Sequence, residues 1–213
     1  MPHARDGQQA ILRRYAIMAP RYDRLWRSYS EITLSQAERL ILTHAPPAAR
    51  LLDVACGTGL LAERLRRSRP AMSLTGIDLS PAMLAQARAR LPERPGLRWV
   101  EGGADQLPFE DGAFDALTCT NAFHLVPDQP RALAEFRRVL APGGLLIILD
   151  WDRSGWTMSL LHRGYRLLGR APRHILTADE MNALAARAGF DLLERSRVSA
   201  GWFWRLNAMA WRR

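Results

Sequence analysis

Along the middle of the chain, short apolar runs alternate with longer stretches in which apolar residues recur every three or four positions. This is the pattern of a parallel sheet with crossover helices. Arg50 to Ala55 reads as a buried strand, and Leu60 to Arg67 as the helix after a Gly57-Thr58-Gly59 turn. Leu74 to Asp78 is the next strand. Ser80 then offers a hydroxyl N-cap and Pro81 the favoured first helical position, opening a helix from Ala82 to about Leu91. Leu97 to Glu101 forms a third strand, Ala113 to Cys119 a fourth, and Pro130 to Leu140 the helix beyond it. Pro142-Gly143-Gly144 reads as a turn into Leu145 to Leu149, a continuous apolar strand suited to a sheet covered on both faces.

The two ends follow other patterns. Ala10 to Leu25 and Ser35 to His44 read as entering helices, closed off by Pro46-Pro47. Trp156 to Leu168 has helical periodicity, and Thr177 to Ala188 is a helix with Thr177 and Glu180 spaced as a capping box and Gly189 past its end. Asp191 to Val198 and Leu206 to Arg212 read as a strand pair closing the sheet. The expected fold is α/β, a Rossmann-like doubly wound sheet, mostly parallel with an antiparallel strand near the C-terminus. One domain over 1–213 is expected, with entering helices at 1–47, a nucleotide-binding core at 48–152, and substrate-side helices and closing strands at 153–213.

Composition narrows the chemistry. No apolar run in the 213 residues reaches the roughly 18 to 20 needed to span a bilayer, and the start is polar and of mixed charge, so a cytoplasmic protein is expected. Cys56 and Cys119 lie far apart and fit no zinc spacing, so neither a disulfide framework nor a metal is expected. The net charge of +9 comes from arginine alone, because the sequence contains no lysine. That removes the lysine required by P-loop enzymes, protein kinases and Schiff-base chemistry. Residues 51–152 hold 11 Arg against 13 Asp plus Glu; residues 1–50 hold 8 against 4, and residues 153–213 hold 11 against 4. The positive charge therefore sits on the flanks.

The chemistry-bearing stretch is Leu51-Leu52-Asp53-Val54-Ala55-Cys56-Gly57-Thr58-Gly59, which ends a strand and opens a helix. Glycines at such a bend let backbone approach a ligand, and the helix start adds unpaired N–H groups. Gly57, Gly59 and Ala62 also satisfy the G-x-G-x-x-A spacing of dinucleotide folds, which keeps an NAD(P)-dependent oxidoreductase as an alternative. Asp53 weighs against it, since a carboxylate there would repel a pyrophosphate and attract an ammonium group. Asp78, ending the second strand, is placed to accept both hydroxyls of a ribose.

These residues resemble a class I S-adenosylmethionine-dependent methyltransferase, of the ubiquinone and menaquinone C-methyltransferase-like group. The matching blocks are Leu51 to Gly59, Gly76-Ile77-Asp78-Leu79-Ser80-Pro81-Ala82-Met83-Leu84, Leu107-Pro108-Phe109 with Phe114-Asp115, and Arg138-Val139-Leu140-Ala141-Pro142-Gly143-Gly144. The resemblance implies S-adenosylmethionine as cofactor. Asp53, Ala55, Cys56, Gly57, Thr58 and Gly59 would surround its methionine part, Asp78 its ribose, and Leu79 and Met83 one face of the adenine. The family's Gly-Asp-Ala triplet, whose aspartate accepts from the adenine amino group, is here Gly102-Gly103-Ala104. The carboxylate position is thus Gly103; Asp105 or Gln106 are the replacements at hand, with the Ala104 N–H beside them. Tyr22 and Asp23, together with Tyr15 and Trp26, resemble the family's lid over the methionine end, the alternative being that these aromatics only pack the helix onto the sheet.

On the acceptor side, Asn121, His124, Asp150 and Asp152 follow the fourth and fifth strands, at the edge where open α/β sheets bind ligands. His124 is the expected general base because its ordinary pKa suits that work, the alternative being a histidine hydrogen-bonded into the loop before Pro127; Asp150 is the second expected catalytic residue and Asn121 is expected toward the cofactor. In the helix from Trp156, Ser159, Arg163, Arg166 and Arg170 fall on one stripe, leaving Leu160 among the apolar positions. A basic amphipathic helix of this kind suits a peripheral contact with the inner face of a membrane, or a cover for a lipid or quinol acceptor; the alternative is a solvated surface helix. Trp202, Phe203, Trp204 and Trp211 add aromatic area. Nucleic acid is not the expected partner, because Thr120-Asn121-Ala122-Phe123 lacks the Asn-Pro-Pro-Tyr type of signature. The leading expectation is methyl transfer to a small hydrophobic or lipid-like acceptor; a non-catalytic nucleotide-binding protein on the same fold remains the third reading.

Overall fold

The computed structural model describes residues 12–167 and 174–213; in the helix Trp156–Leu167 the side chains at positions 156, 161, 162 and 165–167 are left aside. Seven strands form one sheet in the order β3-β2-β1-β4-β5-β7-β6. They are β1 (Arg50–Val54), β2 (Ser73–Asp78), β3 (Leu97–Glu101), β4 (Phe114–Thr120), β5 (Leu140–Trp151), β6 (Asp191–Ala200) and β7 (Trp204–Arg212). The first five run parallel, and β7 is antiparallel to both β5 and β6. The helices are α1 (Arg27–His44), α2 (Leu60–Ser68), α3 (Pro81–Arg90), α4 (Gln129–Val139), α5 (Trp156–Leu167) and α6 (Ala178–Arg187).

Side chains alternate across the strands, and each face builds its own core. From β5, Leu145, Ile147 and Leu149 pack with Leu40, Ile41, Leu61 and Leu65 of α1 and α2. Leu146 and Ile148 face the other way, onto Leu133 and Phe136 of α4 and Met181 of α6. Caps fix the helix starts: Ser80 Oγ accepts from the Met83 N–H, and Thr177 and Glu180 form the expected capping box. The chain leaves β1 for β2 and β3 on one side and returns to β4 on the other. The crevice at the carboxyl ends of β1 and β4 is therefore the switch point where such sheets bind ligands.

Two expectations change. The long entering helix starts at Arg27, eight residues before Ser35, and ahead of it the chain is broken into a helix over 12–18, a 3-10 turn Ala19–Arg21 and one helical turn Tyr22–Leu25. Pro20 sits in that 3-10 turn, where its missing N–H and fixed φ interrupt a continuous helix; residues 10 and 11 lie outside the described residues. Pro142-Gly143-Gly144 is not a turn before β5 but lies within it: Phe114 pairs Leu140 and Ala116 pairs Leu145, so the extra residues bulge out, with Gly143 at φ +74°. The C-terminal stripe is only partly described. Arg163 and Leu160 are exposed, Leu160 at 64%, whereas the Arg166 side chain and Arg170 lie outside the described residues.

Candidate active site

A cavity of about 800 Å³ opens at the switch point. Its floor is the β1–α2 turn, where Ala55 and Gly57 adopt positive φ of 57° and 56°. Left-handed backbone at a non-glycine residue costs roughly 1–2 kcal/mol, which the surrounding sheet must hold in place. Gly57 has open space where a Cβ would stand, so its face is clear for a ligand. Gly59, at φ +79°, does not line the cavity. A Cβ there would meet the Trp99 ring at 2.8 Å, so this glycine serves the turn and the packing of Trp99.

Two carboxylates frame the floor. Asp78 accepts from the Gly57 N–H at 2.8 Å and the Ser80 N–H at 2.8 Å, tying the end of β2 to the glycine turn. Burial raises its pKa in spite of those bonds. Asp53 is 4% exposed and accepts from the Thr118 hydroxyl at 2.8 Å. Desolvation pushes its pKa up to about 7, the hydroxyl bond working the other way. A buried acid without a nearby cation is held toward its neutral form, and a bound ammonium would restore its charge.

The remaining expected residues divide. Tyr22, Ala55, Cys56, Thr58, Leu79, Met83, Gly103, Ala104, Asp105 and Asn121 all line the same cavity. Burial raises the Cys56 thiol well above its ordinary pKa, which leaves it unreactive. A Cβ at Gly103 would stand 3.0 Å from Asp105 Oδ1, so the Asp105 carboxylate fills the space that a side chain at 103 would take, beside Leu79. Gln106 does not line the cavity. Thr58 donates to Asp23 at 2.6 Å, and Arg90 pairs with Asp23 while donating to the Thr58 carbonyl. That triangle ties the entering segment to the glycine turn; Tyr15 and Tyr22 line the cavity, and Trp26 packs on Tyr29 and Trp204.

His124 and Asp150 are brought together but do not line the cavity. Asp150 takes the His124 ring Nδ1 at 2.6 Å and its backbone N–H at 2.6 Å, and the ring stacks on Trp151 at 4.1 Å, with Trp151 in turn stacked on Trp204. Both side chains are buried, in place of the open base that was expected. Asp152 is likewise buried, accepting from Ser154. Asn121, at φ +59°, lines the cavity, but its amide is spent on Tyr29 and Thr33 of α1. Among the described residues the histidine that lines the cavity is His174, an exposed residue which the sequence reading passed over. The His174 backbone N–H donates to the His124 carbonyl at 3.0 Å, and the His174 backbone carbonyl accepts from Gln129 Nε2 at 2.9 Å.

Similarity to known proteins adds a separate line of observation. A methyltransferase-domain family matches residues 52–148. Over 187 residues the chain is 33% identical to the chloroplastic 2-phytyl-1,4-beta-naphthoquinone methyltransferase of Arabidopsis thaliana, covering 75% of this chain and 70% of that one. The chain belongs to the class I S-adenosylmethionine-dependent methyltransferases. It falls in their ubiquinone and menaquinone C-methyltransferase-like group. The demethylmenaquinone methyltransferase of Deinococcus radiodurans is 39% identical over 152 residues, 68% of this chain and 62% of that protein, so the match spans less than two thirds of that relative's length. An S-adenosylmethionine-dependent methyltransferase from Mesorhizobium loti shares the fold, with a TM-score of 0.68 at 20% identity over 84% of this chain and 98% of that one.

The residues present fit the family's cofactor. A buried carboxylate short of a cation stands beside a glycine with nothing over it, and a second carboxylate ends the neighbouring strand. A dinucleotide would instead bring its pyrophosphate against Asp53. Among the described residues no cluster of His, Cys, Asp and Glu is placed to hold a metal, and no helix is long and apolar enough to cross a membrane.

Proposed function

We propose that this chain transfers a methyl group from S-adenosylmethionine to a small apolar acceptor of the reduced-quinone kind. The observation that carries the reading is Asp53: a carboxylate buried under the glycine turn, with its pKa lifted to about 7, is matched by the ammonium of a methionine moiety. When bound, the cofactor supplies an electrophilic methyl on a sulfonium. Asp53 and the Gly57 turn hold its amino-acid end, Asp78 its ribose, and Leu79 and Met83 its ring. Asp105 replaces the carboxylate missing at Gly103 as acceptor for the adenine amino group. Tyr15 and Tyr22 exclude water above, which favours an in-line displacement whose catalysis rests largely on orientation. The names of the relatives support a prenylated naphthoquinol as the acceptor class.

Methylating a quinol ring needs a hydroxyl to give up its proton, so that electron density reaches the attacking atom. His174, which lines the cavity with Leu125 and Val126, is the group we assign to accept that proton; the sulfur would keep its bonding pair as the thioether of adenosylhomocysteine, and the ring-carbon proton would return to the oxygen as aromaticity is restored. The buried His124–Asp150 pair is then a positioning element: Asp150 fixes His124, whose carbonyl holds the His174 backbone. An apolar acceptor of this kind is met at a membrane surface, so a peripheral membrane contact is part of the reading. The test is calorimetric titration with adenosylhomocysteine and with NADH, followed by transfer of labelled methyl to a short-chain prenyl naphthoquinol. Binding of adenosylhomocysteine alone, with label in the quinol, supports the reading; binding of NADH in its place overturns it.

A further inference from the structure

The lid has two faces, and only the inner one belongs to the cavity. Leu12, Tyr15 and Tyr22 look inward. On the outside stand Arg13, Arg14, Arg21, Arg24 and Arg27, all exposed, with Ile17 at 81% and Leu25 at 61% exposure among them. The one carboxylate of this stretch, Asp23, is bonded to Thr58 and Arg90 and shares a groove with Arg24, Arg27, Glu31 and Glu63, which leaves Arg13, Arg14 and Arg21 as the cations away from carboxylates. None of the five arginines pairs with a carboxylate among the described residues. Arg13 and Ile17 are four residues apart on one helical face, so cation and apolar group emerge together.

We propose that this outer lid face docks on an anionic phospholipid bilayer. The inference rests on the membrane-associated reading given above and places the contact on the lid instead of on α5. Charge and apolar exposure combine in one surface, as partition into an anionic headgroup layer requires and as nucleic-acid binding does not. Trp202, 76% exposed at the turn between β6 and β7, is joined to the lid through ring contacts of Phe203, Trp204 and Trp26, and adds an interfacial aromatic. The consequence is mechanical. The segment that covers the cavity is the one that touches lipid, so an apolar acceptor passes from the bilayer to the site behind the lid without crossing water.

The experiment is co-sedimentation of the full chain with phosphatidylcholine vesicles, with and without phosphatidylglycerol, beside thermal stabilisation by adenosylhomocysteine. The expected result is binding only to vesicles containing phosphatidylglycerol, weakening as salt is added. Each arginine near such a surface is worth about fivefold in affinity, so changing all five to Gln lowers binding on the order of a thousandfold. Ile17→Ser with Leu25→Ser lowers it further, and stabilisation by adenosylhomocysteine stays as in the parent. Three results overturn the proposal. Equal binding by the five-arginine variant, with loss on Leu160→Ser and Arg163→Gln, puts the contact on α5 and leaves the membrane reading intact. No binding by the parent to any vesicle removes both, while retained adenosylhomocysteine binding preserves the methyltransferase reading. Tighter binding to a single-stranded RNA probe than to vesicles assigns the arginines to nucleic acid.

Discussion

The two ends of the cavity are built on different terms. At the cofactor end, two strands and a turn are tied together through a buried and a partly buried carboxylate: Asp53 accepts from the Thr118 hydroxyl, and Asp78 spans the backbone N–H groups of Gly57 and Ser80. At the acceptor end, the walls come from the lid, from Leu125 and Val126, and from His174 on a loop held by the His124 carbonyl and Gln129. The first end is set by the sheet and its strand-to-helix turn. The second is assembled from connections, the parts of a domain that vary freely. Affinity for the cofactor and choice of acceptor are therefore separable properties.

The sharpest break of that comparison is His174→Ala. Loss of a general base costs on the order of a hundredfold or more in turnover, and single-turnover methyl transfer to a naphthoquinol should fall by that much with adenosylhomocysteine affinity unchanged. Asp78→Ala acts on the other end. It frees two partly buried N–H groups and removes the ribose acceptor, so adenosylhomocysteine affinity measured by calorimetry should drop about a hundredfold. Asp53→Asn should cost about tenfold and change the pH response. Because the free-site pKa stands near 7, parent affinity rises as pH passes upward through about 7, and the Asn variant is flat. The stability sign is opposite: a carboxyl whose folded pKa is raised holds its proton more tightly when folded. It therefore costs stability as pH climbs from its ordinary value to about 7, and the ligand-free Asn variant should melt higher than the parent at alkaline pH. The smallest effect is Asp105→Ala, about fivefold in adenosylhomocysteine affinity for one lost polar contact. The same variant should bind the inosine analogue, which lacks the amino group, as well as the parent does.

What could be read in the sequence follows the same division. Apolar runs and caps gave away the five parallel strands, and Asp53, Gly57 and Asp78 carried the site because charge and turn geometry act locally. The start of α1 was hidden because its inward residues there are Ser30 and Thr33, poor helix formers that bury by hydrogen bonding rather than by apolar periodicity. Gly59 matched a nucleotide motif, yet its neighbour is Trp99, forty residues on, a contact no local pattern reports. His124 had the chemistry expected of a base, but Asp150 and Trp151 bury it, whereas His174, in a loop without periodicity, reaches the cavity only through tertiary packing.

The central claim is that a buried carboxylate under the glycine turn selects a methionine-bearing cofactor. The direct measurement is the calorimetric affinity for adenosylhomocysteine across neutral pH, for the parent and for Asp53→Asn. The expected result is parent affinity that strengthens as pH passes upward through about 7 and a weaker, pH-independent variant. Equal affinities with no pH dependence in either protein would contradict it.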